Sequence, residues 1–301
     1  MDRFHITATG HSLNYLPQYV ASDQGFFAEE GLDVSVVVPR PWDLVLDHLA
    51  ESSADAALGG IWVPSMHHGR GQRLVPFAQV SARAPLALLG REPDAAFHLS
   101  KLVGQTVSMK GSNGASVGVY LKMLLHEAGI DPHQVNYIQD LDAGILARCF
   151  AGGMGDYLLV DLPGALKLEA SGQGVLVARF TTVGGDIPWS VYYGLGPPPA
   201  ADDRRTRFCR ALSRGMDRVM AQTAEDLRPF LARTFPALDP EISVEVVDLY
   251  RRTGMWTTPK IDAAAYDRWQ AGIFHGHLTD APIPYGDLID RAPAEAVTEP
   301  L

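Results

Sequence analysis

Alternating strand- and helix-patterned segments run along this chain twice, and the two runs echo each other. LDHLAESSADAALGGIWVPSMHHGRGQRLV aligns with GILARCFAGGMGDYLLVDLPGALKLEASGQGVLV, matching Asp55 to Asp156, placing Pro64 near Pro163 and leaving a glycine before the closing strand in both. Such alternation marks parallel α/β sheets, because parallel strands need a crossover long enough to carry a helix. Two copies argue for two related lobes and against a solenoid. The 301 residues supply about two domains' worth of chain.

The first run opens with the strand FHITATG, the polar loop HSLNYLP, and YVASDQGFFAEEG, where Tyr19, Val20, Phe26 and Phe27 share helical spacing before Gly31. LDVSVVV follows as a strand. PWDLVLDHLAESSAD predicts a helix with Leu44, Val45, Leu46 and Leu49 inward, leading through Asp55 into the short apolar strand AALGG. After a helical VPSMHHGRG come strands at LVPFAQVS and LALLG, then the acidic REPDAA, where a crossing between domains is expected. The second run supplies strand GQTVSMKG, helix SNGASVGVYLKMLLHEAGI from a Ser/Asn cap, strand VNYIQD, helix AGILARCFAGG, and strands YLLVD and GVLVARF. WSVYYGLG predicts a returning strand, with Arg- and Leu-rich helices from Asp203 to Arg252 and a last helix near Ala263 to Phe274. The expected organisation is a discontinuous lobe 1 over 1–90 plus 191–301, with lobe 2 inserted over 91–190.

Composition narrows the function. With 47% hydrophobic and 20% charged residues the chain can bury a substantial core, so disordered and fibrous classes fall away. A formal charge of −10 argues against general nucleic-acid binding, which needs a basic surface. Cys149 and Cys209 form neither a disulfide framework nor a metal spacing and are expected as small buried filler. His275 and His277 have no acidic or cysteine partner at metal spacing, and His67 and His68 read as surface residues, so no metal site and no cofactor are expected. No apolar run is long enough to span a bilayer, and MDRFHITATG carries no secretory pattern. The expectation is a cytoplasmic protein as the sequence stands, and a periplasmic one if a signal has been removed.

YLPQYVASDQGFFAEEGLDVSVV, LAESSADAALGG, LSKLVGQTVSMKGSNGAS and AGGMGDYLLVDLPG occur in an order and spacing that resemble the NMT1/THI5-like family, the substrate-binding proteins of the sulfonate, nitrate and thiamine-precursor type. The resemblance spans most of Phe4 to Trp189. It implies the type II periplasmic-binding-protein fold: two α/β lobes joined by two hinge crossings, with a ligand cleft between them. It also implies a monomer whose partners are a small-molecule ligand and, if the protein is exported, an ABC permease.

Open parallel sheets bind ligands beyond the carboxyl ends of their strands, where loops and helix N-termini converge. The loops to inspect are therefore GHSLNY and GGIW in lobe 1, and GSNGAS and VDLPG in lobe 2. Ser12, Asn14 and Tyr15 offer polar groups and an aromatic face, while Gly59 and Gly60 permit close backbone approach. Ser112, Asn113, Ala115 and Ser116 lie at a helix start whose free N–H groups favour an anion, or they simply cap it. Tyr15 and Trp62 line the cleft or pack on helices. Asp161 caps a helix before Pro163 or recognises an amine or ring nitrogen, and Trp189 is a stacking wall or a core residue.

The expected function is a solute-binding protein that closes two lobes over a small anionic or heterocyclic molecule for an ABC importer. The alternative is a cytosolic enzyme on the same fold, desulfinase-, decarboxylase- or lyase-like, or related to the pyrimidine-precursor synthases. The pyrimidine-precursor synthases that this chain resembles use a cofactor-bearing lysine and a cysteine-rich segment. Here Leu58, Gly59 and Gly60 stand in the corresponding region, without a lysine and without a cysteine cluster. Sulfinate desulfinases of this fold use a cysteine in the opening loop, where this chain places Ser12 beside His11. These two residues are the only catalytic candidates, and an activated serine would need a base within hydrogen-bond reach.

Overall fold

The computed structural model describes residues 1–110, 116–199 and 201–297. Among them, ten strands form two five-stranded sheets. They are β1 (Asp2–Ala8), β2 (Leu32–Val37), β3 (Ala56–Gly59), β4 (Leu74–Ser81), β5 (Leu86–Gly90), β6 (Thr106–Lys110), β7 (Asn136–Leu141), β8 (Tyr157–Asp161), β9 (Val175–Arg179) and β10 (Ser190–Leu195). The strand orders are β2-β1-β3-β10-β4 and β7-β6-β8-β5-β9. This is the α/β architecture expected from the alternating pattern.

In each sheet the fourth strand, β10 or β5, runs antiparallel to both its neighbours. Each is the first strand the chain enters after passing between sheets. The outward passage occupies residues 82–85, ahead of LALLG, so the crossing does not fall at REPDAA. Leu86–Gly90 pairs with β8 and β9 in the second sheet, which places it in lobe 2 although the sequence assigned it to lobe 1. The physical reason is burial: all five residues are enclosed, which suits an interior strand flanked on both sides. The acidic stretch that suggested a boundary is a surface loop of lobe 2.

The return passage, residues 184–189, lies beside the outward one. Ile187 N–H donates to the Ala82 carbonyl and Trp189 N–H to the Ser81 carbonyl, both at 3.0 Å. Arg83 reaches across to the Asp186 carboxylate at 2.8 Å and to the Thr181 carbonyl at 3.0 Å. The two crossings therefore form one hydrogen-bonded strap.

The echo seen in the sequence is a repeat of backbone pairing. In lobe 1 the Asp55 carboxylate accepts from His5 N–H at 2.8 Å, and in lobe 2 the Asp156 carboxylate accepts from Thr106 N–H at 2.8 Å, each across fifty residues. Asp55 N–H returns a bond to the His5 carbonyl, and Asp156 N–H returns one to the Thr106 carbonyl. One residue further on, Ile6 pairs with Ala56 and Val107 with Tyr157, fixing the same register in both lobes. The aspartates terminate the ladder at the strand entrances and leave the carboxyl ends free.

Two apolar clusters cover the sheets, and each draws on both lobes. One contains Phe4, Phe208 and Phe150, the other Val45, Tyr120 and Trp269. The helix Arg204–Ala221 lies directly on Leu16–Asp23, because a side chain at Gly215 would stand 2.3 Å from the Pro17 carbonyl. The later helices, grouped with lobe 1 from sequence, also touch lobe 2. Pro240–Thr253 packs on Leu162–Ala170. Ala263–His275 packs on Ser116–Glu127, where Arg268 holds Glu127 through two 2.7 Å bonds.

Asp156→Ala deprives Thr106 N–H of its charged acceptor and is expected to cost about 2 kcal/mol. Asp55→Ala is expected to cost more, because Asp55 also accepts from Arg204 at 2.9 Å. Urea unfolding of both variants checks the magnitude and the order; equal stability to wild type would show that the paired aspartates do not hold the registers.

Candidate functional site

The carboxyl ends of the parallel strands face a cavity of about 220 Å³. Lobe 1 contributes Thr9 to Ser12, Asn14, Tyr15, Trp42, Gly60, Trp62 and Val63. Lobe 2 contributes Leu86, Ser116, Val117 and Asp161, the crossings contribute Pro85 and Trp189, and Ser190 opens the returning strand β10. Both lobes and both crossings thus meet at one place.

Asn14 anchors the floor. It is 3% exposed, and its amide donates to Ser81 Oγ at 2.8 Å and to Ser190 Oγ at 3.4 Å, one hydroxyl from the end of the outgoing strand and one from the start of the returning one. Its side-chain carbonyl accepts from the Ser12 hydroxyl. Its backbone carbonyl accepts from Ser81 Oγ at 3.0 Å and from Trp256 Nε1 at 2.8 Å. A buried amide with so many partners fixes a loop in place, since each bond left unmade would cost about 1–3 kcal/mol. Asn14 therefore lines the cavity while its hydrogen-bonding groups are committed to the protein. Beside it, burial raises the Tyr15 phenol above its ordinary pKa, partly offset by hydrogen bonding with Thr9 and Ser190.

The walls are aromatic. Trp62 opens the helix Trp62–His67 and meets Trp42 edge to face at 5.8 Å. A side chain at Gly60 would come within 2.4 Å of the Trp62 ring, so the glycine makes room for that indole. Trp189 is stacked on Trp269 at 6.2 Å and stands against Tyr120 at 5.6 Å, which joins the two readings of this residue: it is packed behind and lines the cavity in front.

Asp161 ends β8 and holds the N-cap position of Leu162–Ala170, but its side chain makes no capping hydrogen bond. Its carboxylate leans over the first turn, where a side chain at Gly164 would stand 3.1 Å from Oδ1. Among the described residues it has neither an ion-pair nor a hydrogen-bond partner. Its charge, together with the larger effect of burial, holds the Tyr250 phenol well above its usual range.

The Ser12–His11 pairing does not form. Ser12 is extended, at φ −150° and ψ 148°, and neighbouring side chains on extended backbone diverge. The Ser12 hydroxyl turns to Asn14, whereas the His11 ring packs between Tyr19 and Phe235 and Nε2 donates to the Thr234 carbonyl at 2.9 Å. The imidazole therefore serves the wall of lobe 1 and is no base for Ser12.

Gly59 stands outside the cavity lining: a side chain there would press on Thr9 at 2.9 Å, so the glycine permits close contact between β1 and β3. Ser112, Asn113 and Ala115 lie outside the described residues, while Ser116 opens its helix at the cavity. Cys209 is buried and Cys149 half-buried; burial pushes the Cys209 thiol far up. Among the described residues no group of three or more His, Cys, Asp or Glu could hold a metal, and no helix is long and apolar enough to cross a membrane. Sequence reasoning missed Thr9, Trp42, Val63, Pro85, Leu86, Val117 and Ser190. Trp42 lies in the loop after β2, and inspecting that loop by the same carboxyl-end rule would have found it.

Residues 12–225 match the family described as NMT1/THI5 like. The Bacillus subtilis (strain 168) protein YtlA, described by name as a candidate binding protein, is 27% identical over 99% of this chain and 90% of its own length. Among solved structures, the zinc-bound ligand-binding component of an ABC-type import system from Staphylococcus aureus aligns over 99% of both chains with a TM-score of 0.78 at 12% identity. The alkanesulfonate-binding protein SsuA from Xanthomonas axonopodis pv. citri, bound to MOPS, aligns over 97% of this chain and 99% of its own with a TM-score of 0.73 at 14% identity. The desulfurization enzyme DSZB aligns over 98% of both chains with a TM-score of 0.68 at 14% identity. At these identities the structural likeness establishes the periplasmic-binding-protein fold.

Asn14→Leu removes the shared partner of Ser12, Ser81 and Ser190, and is expected to lower stability by about 2–3 kcal/mol. Differential scanning calorimetry should show the melting temperature falling by several degrees; an unchanged melting temperature would mean that the hub does not hold the floor.

Proposed function

We propose that this chain, which belongs to the NMT1/THI5-like family, is the solute-binding component of an ABC-type importer, taking a small molecule into the cavity between its lobes and presenting it to a membrane permease. The observation that carries this reading is the composition of the cavity wall: both lobes and both crossings contribute, so a solute filling it would contact everything that moves when the lobes rotate about the strap. Differential affinity of that solute for the closed arrangement is what would drive closure. The names of YtlA and of the Staphylococcus aureus component support the same role.

The catalytic alternative has less to work with. Among the described residues Ser12 has no base, and the hydrogen-bonding groups of Asn14 face inward to the protein. A binding role needs neither residue to react. It needs a shaped, rigid cavity, which the Asn14 bonds and the packed indoles provide.

A thermal-shift screen of small sulfonates, carboxylates, amines and pyrimidines, followed by native mass spectrometry of the hits, tests the role. A true solute at 100 times its dissociation constant is expected to add about 2.7 kcal/mol, a rise of roughly 5 °C or more. It should leave the protein chemically unchanged, and Trp42→Ala should weaken it about tenfold by removing one aromatic wall. Failure of every compound to bind, or conversion of a bound compound to product, would contradict the reading.

A further inference from the structure

Within the proposed solute-binding role, the chemistry of the cavity wall discriminates among ligands. Its described lining includes Tyr15, Trp42, Trp62 and Trp189, and it includes no lysine or arginine. Residues 111–115, Gly-Ser-Asn-Gly-Ala, carry no ionisable side chain, and of Lys110 before them the backbone alone is described. Among the described residues the only carboxylate on the wall is Asp161, which has no hydrogen-bond or ion-pair partner there and does not cap its own helix. A half-buried carboxylate costs free energy unless a positive group meets it. Aromatic faces attract the same kind of partner, because the ring quadrupole is negative over the face, and indole is the strongest of the three ring types.

We infer that the solute is an organic monocation, a quaternary or protonated amine, whose charge is shared between the Asp161 carboxylate of lobe 2 and the indoles of lobe 1 and the return crossing. The inference rests on the solute-binding reading and adds the class of solute. The arrangement divides the work between the lobes. Trp42 and Trp62 are braced against each other in lobe 1, Trp189 is backed by Trp269, and Asp161, at the end of β8, lies on the wall of this cavity and of a neighbouring one lined by Gly164 and Lys167. The cation would bring the carboxylate and the indoles together, so closing the cleft and neutralising Asp161 become one event. The cavity of about 220 Å³ suits a compact amine of roughly ten non-hydrogen atoms.

The test compares charge at constant shape. Choline, benzyltrimethylammonium and phenethylammonium are titrated calorimetrically into the full chain, with 3,3-dimethylbutan-1-ol as the neutral isostere of choline and propane-1-sulfonate as the anion. At least one cation is expected to bind, the neutral isostere at least tenfold more weakly than choline, and the sulfonate not measurably. Asp161→Asn is expected to weaken the cation at least tenfold while the ligand-free melting temperature stays close to wild type, since no capping bond is lost. Asp161→Glu, which keeps the charge, should retain cation preference, and the isostere comparison on wild type needs no variant at all. Equal binding of choline and its isostere, undiminished binding by Asp161→Asn, or binding of the sulfonate in preference to all three cations would overturn the inference. In that last case the solute-binding role itself would stand, whereas absence of binding by every compound here and in the wider screen would remove both.

Discussion

The bonds of Asn14 are the constraint on which the site depends. Through two serines this residue joins the opening loop of lobe 1 to the end of the outgoing strand and the start of the returning one, and through its carbonyl it takes the indole N–H of Trp256. The loop, both crossings and the C-terminal region are thereby registered to one buried amide. Since a buried polar group without partners is costly, these elements cannot drift independently without leaving donors or acceptors unmade. The cavity has a defined floor because that cost is avoided only in one arrangement.

Above the floor, the repeated register sets what each lobe presents. The Asp55 and Asp156 bonds tie off the strand entrances in the same way, so both sheets deliver their carboxyl ends to the same space. The lobes then differ where it matters chemically. At the start of the helix that follows the third parallel strand, lobe 1 offers Trp62 and lobe 2 offers Asp161. Equivalent scaffolding carries an aromatic face on one side and a charge on the other. The C-terminal helices brace both lobes, with the Arg268–Glu127 pair on one side and the packing of Pro240–Thr253 on Leu162–Ala170 on the other.

Much of this was legible in the sequence, for identifiable reasons. The Asp55–Asp156 echo was visible because each aspartate has a specific job at a fixed place in the repeat. Ser12, Asn14, Tyr15, Gly60, Trp62, Ser116, Asp161 and Trp189 stand out in the sequence because they follow strands or end a crossing, and all eight line the cavity. Gly59 shares that sequence position yet its space is taken by Thr9, a contact between strands that no local pattern encodes. The crossing was placed too late because charge and proline marked REPDAA as a boundary, whereas the true passage is the short segment Ala-Arg-Ala-Pro, whose role depends on which sheets it joins. The partnerships of Asn14, with residues 67 and 176 positions away, could not be read from spacing at all.

Hydrogen–deuterium exchange, with and without the solute that gives the largest thermal shift, tests the central claim most directly. The account predicts that protection rises together in segments 9–15 and 60–63 of lobe 1, 161–164 of lobe 2 and 185–190 of the return crossing. Protection confined to one lobe, or centred on the outer groove lined by Phe97, Leu124 and Val183, would contradict it.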